Sequence, residues 1–355
     1  MEPSLNADLQ LLAVLVHRAL LDQESAHAAM QSGDPAHWLQ ANGKCTAKQW
    51  ALWQQTIGGT RPVLSRYDVK ELLGEGGSAR VFAALDRTDG RRVALKVLRT
   101  ELSQQPAQVE AFVREAKLLL DLVHPHLVRG YRVAREGETY FFAMEEVPGK
   151  SLQDELAVHQ RFEELQALQI VLQVASALDV LHVRGLVHRD IKPGNILFSA
   201  ARGAVLIDLG FAVPRGQPLG GETTAGTVHY IAPEQARGGS ELDVRADIYA
   251  LGATLYQLVT GSLPFEGQSN EDVLRKQVLE SLSGERIRAL QLSPQVHYFI
   301  EKMMAKEREI RFQDPKQLCA EIGAYLAAQE SQRQLTERAQ QTRPKLGLRR
   351  PRKDR

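Results

Sequence analysis

Two charges in this chain sit on faces that ought to be apolar. The segment Val93-Ala94-Leu95-Lys96-Val97-Leu98 has strand composition. Its side chains alternate, so Val93, Leu95 and Val97 share one face while Ala94, Lys96 and Leu98 share the other. Some twenty residues on, Phe112-Val113-Arg114-Glu115-Ala116-Lys117-Leu118-Leu119 reads as a helix. There Phe112, Leu118 and Leu119 fall at i−3, i+3 and i+4 from Glu115, on the same face. An unpaired charge on a buried face is expensive. Unless Lys96 is a surface lysine at a sheet edge, each charge needs the other, and the strand and helix must pack so that Lys96 meets Glu115.

Ahead of the strand lies Leu73-Gly74-Glu75-Gly76-Gly77-Ser78-Ala79-Arg80-Val81. Glycines let a hairpin turn reach φ > 0 and bring backbone N–H groups close to a phosphate. Alone, such a loop between strands is more often just a turn. Beside a lysine held in place by a buried glutamate, it reads as a phosphate cradle.

Two later segments add oxygen chemistry. One is His188-Arg189-Asp190-Ile191-Lys192-Pro193-Gly194-Asn195. The other is Asp208-Leu209-Gly210, behind the apolar run Ala204-Val205-Leu206-Ile207. Asp190, Asn195 and Asp208 are bases or oxygen ligands on loops bounded by apolar segments, and Mg²⁺ is a hard cation that takes such oxygens.

These five segments, taken in chain order, resemble the signature set of the eukaryotic-type protein kinases, over about Tyr67 to Leu326. "HRDIKPGNIL", "GTVHYIAPEQARG" and "DIYALGATLYQLVTGSLPF" are most similar to bacterial serine/threonine kinases. The resemblance implies an α+β, two-lobed fold: a β-rich lobe over 67–147, a helical lobe over 148–327, and ATP with Mg²⁺ (or Mn²⁺) in the cleft. It implies that Gly74, Gly76 and Gly77 lie over ATP. Leu73, Val81, Ala94, Met144, Glu145, Val147 and Leu197 would then surround the adenine, with Met144 as gatekeeper and 145–147 as hinge. Lys96 would hold the α and β phosphates, supported by Glu115. Asp190 would take the substrate hydroxyl proton, Lys192 would meet the γ-phosphate, and Asn195 and Asp208 would bind metal. Lys192 and Thr227 favour Ser/Thr over Tyr acceptors. Glu234 with Arg311, and Asp247, would be structural. Arg189 would order a phosphorylated activation segment, in which Thr223 and Thr224 are the candidate autophosphorylation sites. Two departures stand out: Ala79 replaces the third loop glycine, and Leu209 replaces the usual Phe after Asp208. A pseudokinase would lack Lys96, Asp190 or Asp208. A small-molecule kinase would not need the segment with Thr227 and Ala232-Pro233-Glu234.

Outside this region, residues 1–60 read as a helical module with a weak repeat. Leu15–Ala26 and Leu39–Trp50 each hold an apolar run, a turn and a capping residue, Asp22 or Thr46. Trp50 and Trp53, three apart, read as core, and the module is either a cap or a docking site for a regulatory partner. Residues 328–355 read as a helical extension with a disordered basic tail. The last 13 residues carry +6 of a formal total of +1, leaving −5 on residues 1–342, so an anionic surface is a candidate partner for the tail. With 43% hydrophobic residues the chain can bury a core. Cys45 and Cys319 form no CxxC, and the ten histidines no helical zinc pair. His124 and His126 read as loop residues. Leu9–Leu21 falls short of the ~20 residues that span a bilayer, and a cytoplasmic protein without a transmembrane segment is expected.

Overall fold

In a computed structural model of the protein, residues 2–17, 20–57, 61–199, 201–210, 212–215, 227–238, 242–282 and 292–341 are described. They fall into two units. The first comprises Met1–Lys150 with Ile196–Ala212, the second Ser151–Asn195 with Val213–Arg355.

Unit 1 opens with four helices, α1 (Glu2–His17), α2 (Gln23–Gln31), α3 (Pro35–Ala41) and α4 (Ala47–Ile57). The 24-residue repeat is real at the level of single hydrogen bonds. The N–H of Leu20 closes on the carbonyl of Leu15 at 2.9 Å, and that of Lys44 on Leu39 at 2.8 Å. Asp22 then accepts from the Ser25 N–H at 2.7 Å, and Thr46 from the Gln49 N–H at 3.1 Å. Such side-chain caps satisfy the orphan donors of a helix start. Leu15 and Leu21 from the first copy share one buried cluster with Leu39 and Trp50 from the second, joined by Leu11, Leu12 and Trp53 from the flanking turns of helix. Val63 in the following segment packs against the same cluster.

The chain then builds an antiparallel sheet from β1 (Tyr67–Glu75), β2 (Ala79–Asp86), β3 (Arg92–Leu98), β4 (Gly130–Glu136) and β5 (Thr139–Glu145), in the order β1-β2-β3-β5-β4. As the alternation requires, Val93, Leu95 and Val97 lie together, in a cluster with Phe82, Phe141 and Ala143. Between β3 and β4 come a short helix, α5 (Thr100–Ser103), and α6 (Pro106–Asp121), which starts on a proline and buries Phe112, Glu115, Ala116 and Leu119. Leu118, expected on the buried stripe, is only half-buried, and Ala116 takes its place. A glycine is required at Gly130 in β4, because a Cβ there would stand 2.8 Å from the backbone of Leu119 in α6.

The boundary between units differs from the lobe boundary read from sequence. Residues 196–212, expected with the large lobe, belong with unit 1. Within them β8 (Ile196–Ser199) pairs antiparallel with β9 (Gly203–Leu206). Leu206 bonds through its backbone to His126 and Val128, which ties this hairpin to the loop after α6. At the turn into β6 (Lys150–Ser151), Gly149 has φ +136° and lies so close to the Phe198 carbonyl that no side chain fits.

Unit 2 is largely helical. It comprises α7 (Leu152–His159), α8 (Glu164–Val183), the short β7 (Leu186–Val187) and β10 (Val213–Pro214), α9 (Pro233–Ala236), α10 (Val244–Thr260), α11 (Asn270–Leu279), α12 (Pro294–Met303) and α13 (Pro315–Gln341). By length and composition α8 is apolar enough to cross a membrane. Nine of its side chains are buried, and it packs against α10 and α13. α10 is buried along almost its whole length. The extension expected from 328 is the continuation of α13. The basic residues beyond 341 lie outside the described residues.

Candidate active site

Unit 1 carries one ionic constellation. Lys96 Nζ donates to Glu115 Oε1 at 2.6 Å and to Asp208 Oδ1 at 3.3 Å. Burial alone would lower the Lys96 amine, but the Asp208 and Glu115 carboxylates outweigh it and hold the amine above its ordinary value. Glu115 is pushed up to about 7, by burial first and by the nearby Asp208 carboxylate second. A lysine flanked by two carboxylates is fixed in place and keeps its charge. Asp208 is itself aimed by the Gly210 N–H, 2.8 Å from Oδ1. A Cβ on Gly210 would stand 3.1 Å from that oxygen, so a side chain there would crowd it. Leu209 is fully buried, as a replacement for an aromatic should be.

The residues expected around the nucleotide lie in the same unit. Val81 stands opposite Lys96 on β2 and β3, and Ala94 opposite Met144 on β3 and β5. Ala94, Met144 and Val147 are buried, Val81 and Leu197 half-buried, and Leu73 exposed. Glu145 bonds its N–H to the Arg129 carbonyl at 2.8 Å, and its carboxylate pairs with Arg202.

The glycine loop corrects the reason given for its glycines. Gly74, Gly76 and Gly77 are not among the glycines with positive φ, and a Cβ at any of them would meet nothing closer than 3.6 Å. The turn closes instead through the Gly76 N–H to the Ala79 carbonyl at 2.9 Å. It is braced by Glu75, which accepts from Arg80 at 2.9 Å and Arg99 at 2.8 Å. Arg99 also donates to the Gly76 carbonyl at 3.0 Å. The glycines keep the loop bare of side chains rather than supplying a left-handed turn. Arg99 was not legible as a loop residue, since it lies 23 positions away.

Unit 2 carries the second constellation. Asp190 is 4% exposed. Asn195 Nδ2 donates to its Oδ2 and to its backbone carbonyl, both at 2.8 Å. Lys192 Nζ stands 3.0 Å from Oδ1 and 2.8 Å from Oδ2. Backbone strain marks the same loop: Arg189 has φ +70°, costly for a long side chain. It is held there by Asp247, whose two oxygens accept from the His188 and Arg189 N–H groups, each at 2.8 Å. Burial pushes the Asp247 carboxyl up to about 7, against those two bonds. This is the bracing expected of Asp247.

Beyond that loop, Glu234 and Arg311 form the expected ion pair, bidentate at 2.7 and 2.8 Å. Thr227 opens a single turn of 3₁₀ helix, Thr227–His229. Its side chain lies outside the described residues, as do Thr223 and Thr224. Sequence reasoning missed Gln277. It is fully buried in α11, donates to the His229 and Val228 carbonyls at 2.7 and 3.3 Å, and accepts from the Tyr249 hydroxyl at 2.6 Å. A glutamine on an otherwise amphipathic helix gives no signal, because its partners lie 28 or more positions away.

A comparison with family profiles matches residues 67–321 to the protein kinase domain. The chain belongs to that family. Among curated protein kinases it is 35% identical over 273 residues to the probable serine/threonine-protein kinase PknB of Corynebacterium glutamicum, covering 74% of this chain and 42% of that one. It is 35% identical over 246 residues to the serine/threonine-protein kinase PrkC of Bacillus subtilis, covering 69% and 37%. It is 36% identical over 272 residues to the serine/threonine-protein kinase PknB of Mycobacterium leprae, covering 74% and 43%. The chain thus spans about two-fifths of the length of these relatives.

Among the described residues, no cluster of three or more His, Cys, Asp or Glu side chains makes a self-contained metal site. Each unit by itself offers an oxygen donor of the kind a hard cation takes: in the first the Asp208 carboxylate, in the second the amide carbonyl of Asn195, whose nitrogen is already spent on Asp190. Mg²⁺ takes such oxygens, keeps several waters and completes its shell with substrate phosphates.

Proposed function

We propose that this chain is a serine/threonine protein kinase that transfers the γ-phosphoryl group of ATP to protein hydroxyls. The observation that carries the reading is the Asp190 carboxylate, almost fully buried and gripped by Lys192 and Asn195. A carboxylate so fixed can accept a hydrogen bond from a Ser or Thr hydroxyl and orient its oxygen. The hydroxyl oxygen bonds to the γ-phosphorus, the bond from γ-phosphorus to the β,γ-bridging oxygen breaks, and ADP leaves with that electron pair. The hydroxyl proton passes to Asp190. Lys192 offsets charge on the transferring group, and Lys96 holds the non-transferred phosphates. The chain's contribution is mostly positioning and electrostatic stabilisation. Mg²⁺, or Mn²⁺ in its place, would be held by Asp208 and Asn195 and would neutralise phosphate charge.

Several finer assignments belong to the same proposal. Arg189 and the threonines at 223 and 224 form an autophosphorylation switch, the helical module binds a regulatory partner, and the basic tail meets an anionic surface. The enzyme acts in the cytoplasm. The test is incorporation of label from γ-labelled ATP into casein. Asp190→Asn should abolish incorporation while nucleotide still binds. Labelling by that variant at the wild-type rate would refute the mechanism. Full activity with Thr223 and Thr224 unmodified, read by mass spectrometry, would refute the switch.

A further inference from the structure

The amino-terminal module and the sheet of unit 1 are joined by two consecutive residues that enter different cores. Val63 packs against the cluster of the module, while Leu64, 1% exposed, belongs to the sheet cluster with Tyr67, Val69 and Phe82. At this joint lies a small cavity of about 20 Å³. Leu20, Gln49 and Trp53 line it from the module, Arg61 from the connecting segment, Asp68 from the start of β1 and Arg87 from just after β2. A space of this size admits about one water-sized group, hence a single oxygen of a larger ligand.

Arg61 sets its chemistry. The Nη1 of this guanidinium is buried and has no hydrogen-bond partner, and among the described residues the side chain makes no ion pair. Burial pulls the guanidinium below its ordinary pKa, against the opposing pull of the Glu71 and Asp68 carboxylates. Both carboxylates have nearer cations. Asp68 lies 2.5 Å from Lys70 and 3.8 Å from Arg87, and Glu71 lies 3.9 Å from Arg92. Arginine stays protonated all the same. The lining therefore holds two guanidinium charges against one carboxylate that Lys70 already shares. A water molecule would satisfy the buried N–H and leave the charge, whereas an anionic oxygen satisfies both through a charge-assisted hydrogen bond. Arg87, the one exposed residue of the lining, adds attraction on the solvent side.

We propose that this cavity binds a small oxyanion, a carboxylate or a phosphate, with one oxygen seated on Arg61 Nη1. Bound there, the anion meets groups of the module and of the sheet at once and fastens one to the other. The site stands apart from the kinase reading, since none of its residues is among those proposed to hold ATP, metal or acceptor.

The test uses the full chain at fixed ionic strength and reads tryptophan fluorescence, to which Trp53 in the lining contributes. Sodium phosphate and sodium acetate are titrated separately, with sodium chloride as the control for screening. At least one of the two oxyanions should give a saturable change. Saturation by phosphate alone identifies a phosphate ligand, and by acetate alone a carboxylate. At ten times the half-saturating concentration, the folded-to-unfolded ratio read by fluorescence in urea should rise about elevenfold. Arg61→Met removes the anchoring N–H and should raise the half-saturating concentration by at least about tenfold, as the loss of a charge-assisted hydrogen bond does. Gln49→Glu adds a carboxylate to the lining, should weaken binding in the same direction, and carries the test should Arg61→Met not fold. No saturable change, a change that chloride reproduces, a folded-to-unfolded ratio that stays put, or half-saturation unmoved in the folded variants overturns the site.

Discussion

Replacing Arg311 by lysine keeps the charge and removes the geometry. The Arg311 side chain is fully buried and all five of its N–H donors are used. Nε serves the Ala305 carbonyl at 2.7 Å. The two terminal nitrogens serve both oxygens of Glu234, the Arg245 carbonyl at 2.9 Å and the Lys306 carbonyl at 3.0 Å. An ammonium group has three donors, so at least two of these acceptors would be left unpaired without water to replace the bond. Each unsatisfied buried acceptor costs about 1–3 kcal/mol, giving roughly 2–6 kcal/mol for the substitution. That is a large part of a domain's typical stability of about 5–15 kcal/mol. Urea unfolding can be read with two probes. Far-UV circular dichroism is weighted toward the helices of unit 2, while tryptophan fluorescence follows unit 1, because the three tryptophans are Trp38, Trp50 and Trp53. With a urea slope of about 2–3 kcal/mol/M, the dichroism midpoint of Arg311→Lys should fall by about 1–3 M, and the fluorescence midpoint by less. A variant within about 0.5 kcal/mol of the parent, the range of ordinary surface changes, would refute the argument from donor geometry.

Two other outcomes follow from unit 1. Gly130→Ala drives a Cβ against the Leu119 backbone and should push α6 outward at a cost of about 1–3 kcal/mol, as overpacking does. Glu115 rides on that helix, so kcat/KM should fall with stability, whereas Gly77→Ala, with open space at its Cβ, should leave the urea midpoint unchanged. The raised Glu115 carboxyl sets a pH dependence: activity should climb through about pH 7 as the carboxylate that holds Lys96 ionises, and Glu115→Gln should lower activity and flatten that limb. The stability contribution has the opposite sign, because a folded pKa above the unfolded value favours the folded state at low pH and is lost as pH rises through about 7. Urea midpoints of the parent and Glu115→Gln measured from pH 5 to 8 separate the two effects.

The parts of the site legible in the sequence were those whose local pattern conflicts with their chemistry. Lys96 and Glu115 each interrupt an apolar face, and that conflict alone predicts the 2.6 Å contact. Asp22 and Thr46 announce helix starts, and both cap as expected. Asp247 and Arg311 came only through family resemblance, since a lone Asp at a helix start or an Arg in a loop reads as surface. Gln257 and Gln277 were illegible for a related reason. A neutral amide breaks no hydrophobic pattern, and its partners are fixed by packing among α10, α11 and the Thr227–His229 turn. The positive φ of Arg189 was equally hidden, because the bonds that enforce it come from Asp247, 58 residues later.

The 24-residue repeat has a consequence for how the amino-terminal module can be cut or exchanged. Its two copies are alike in backbone, but they do not own separate cores: Leu15 and Leu39, the equivalent leucines, are both wholly buried in one cluster. Each copy is far below the ~40 residues under which a chain rarely folds unaided. The unit that repeats is therefore not the unit that folds. A truncation that removes either copy exposes the apolar face of the other, so swaps and deletions that respect the module must take both copies together.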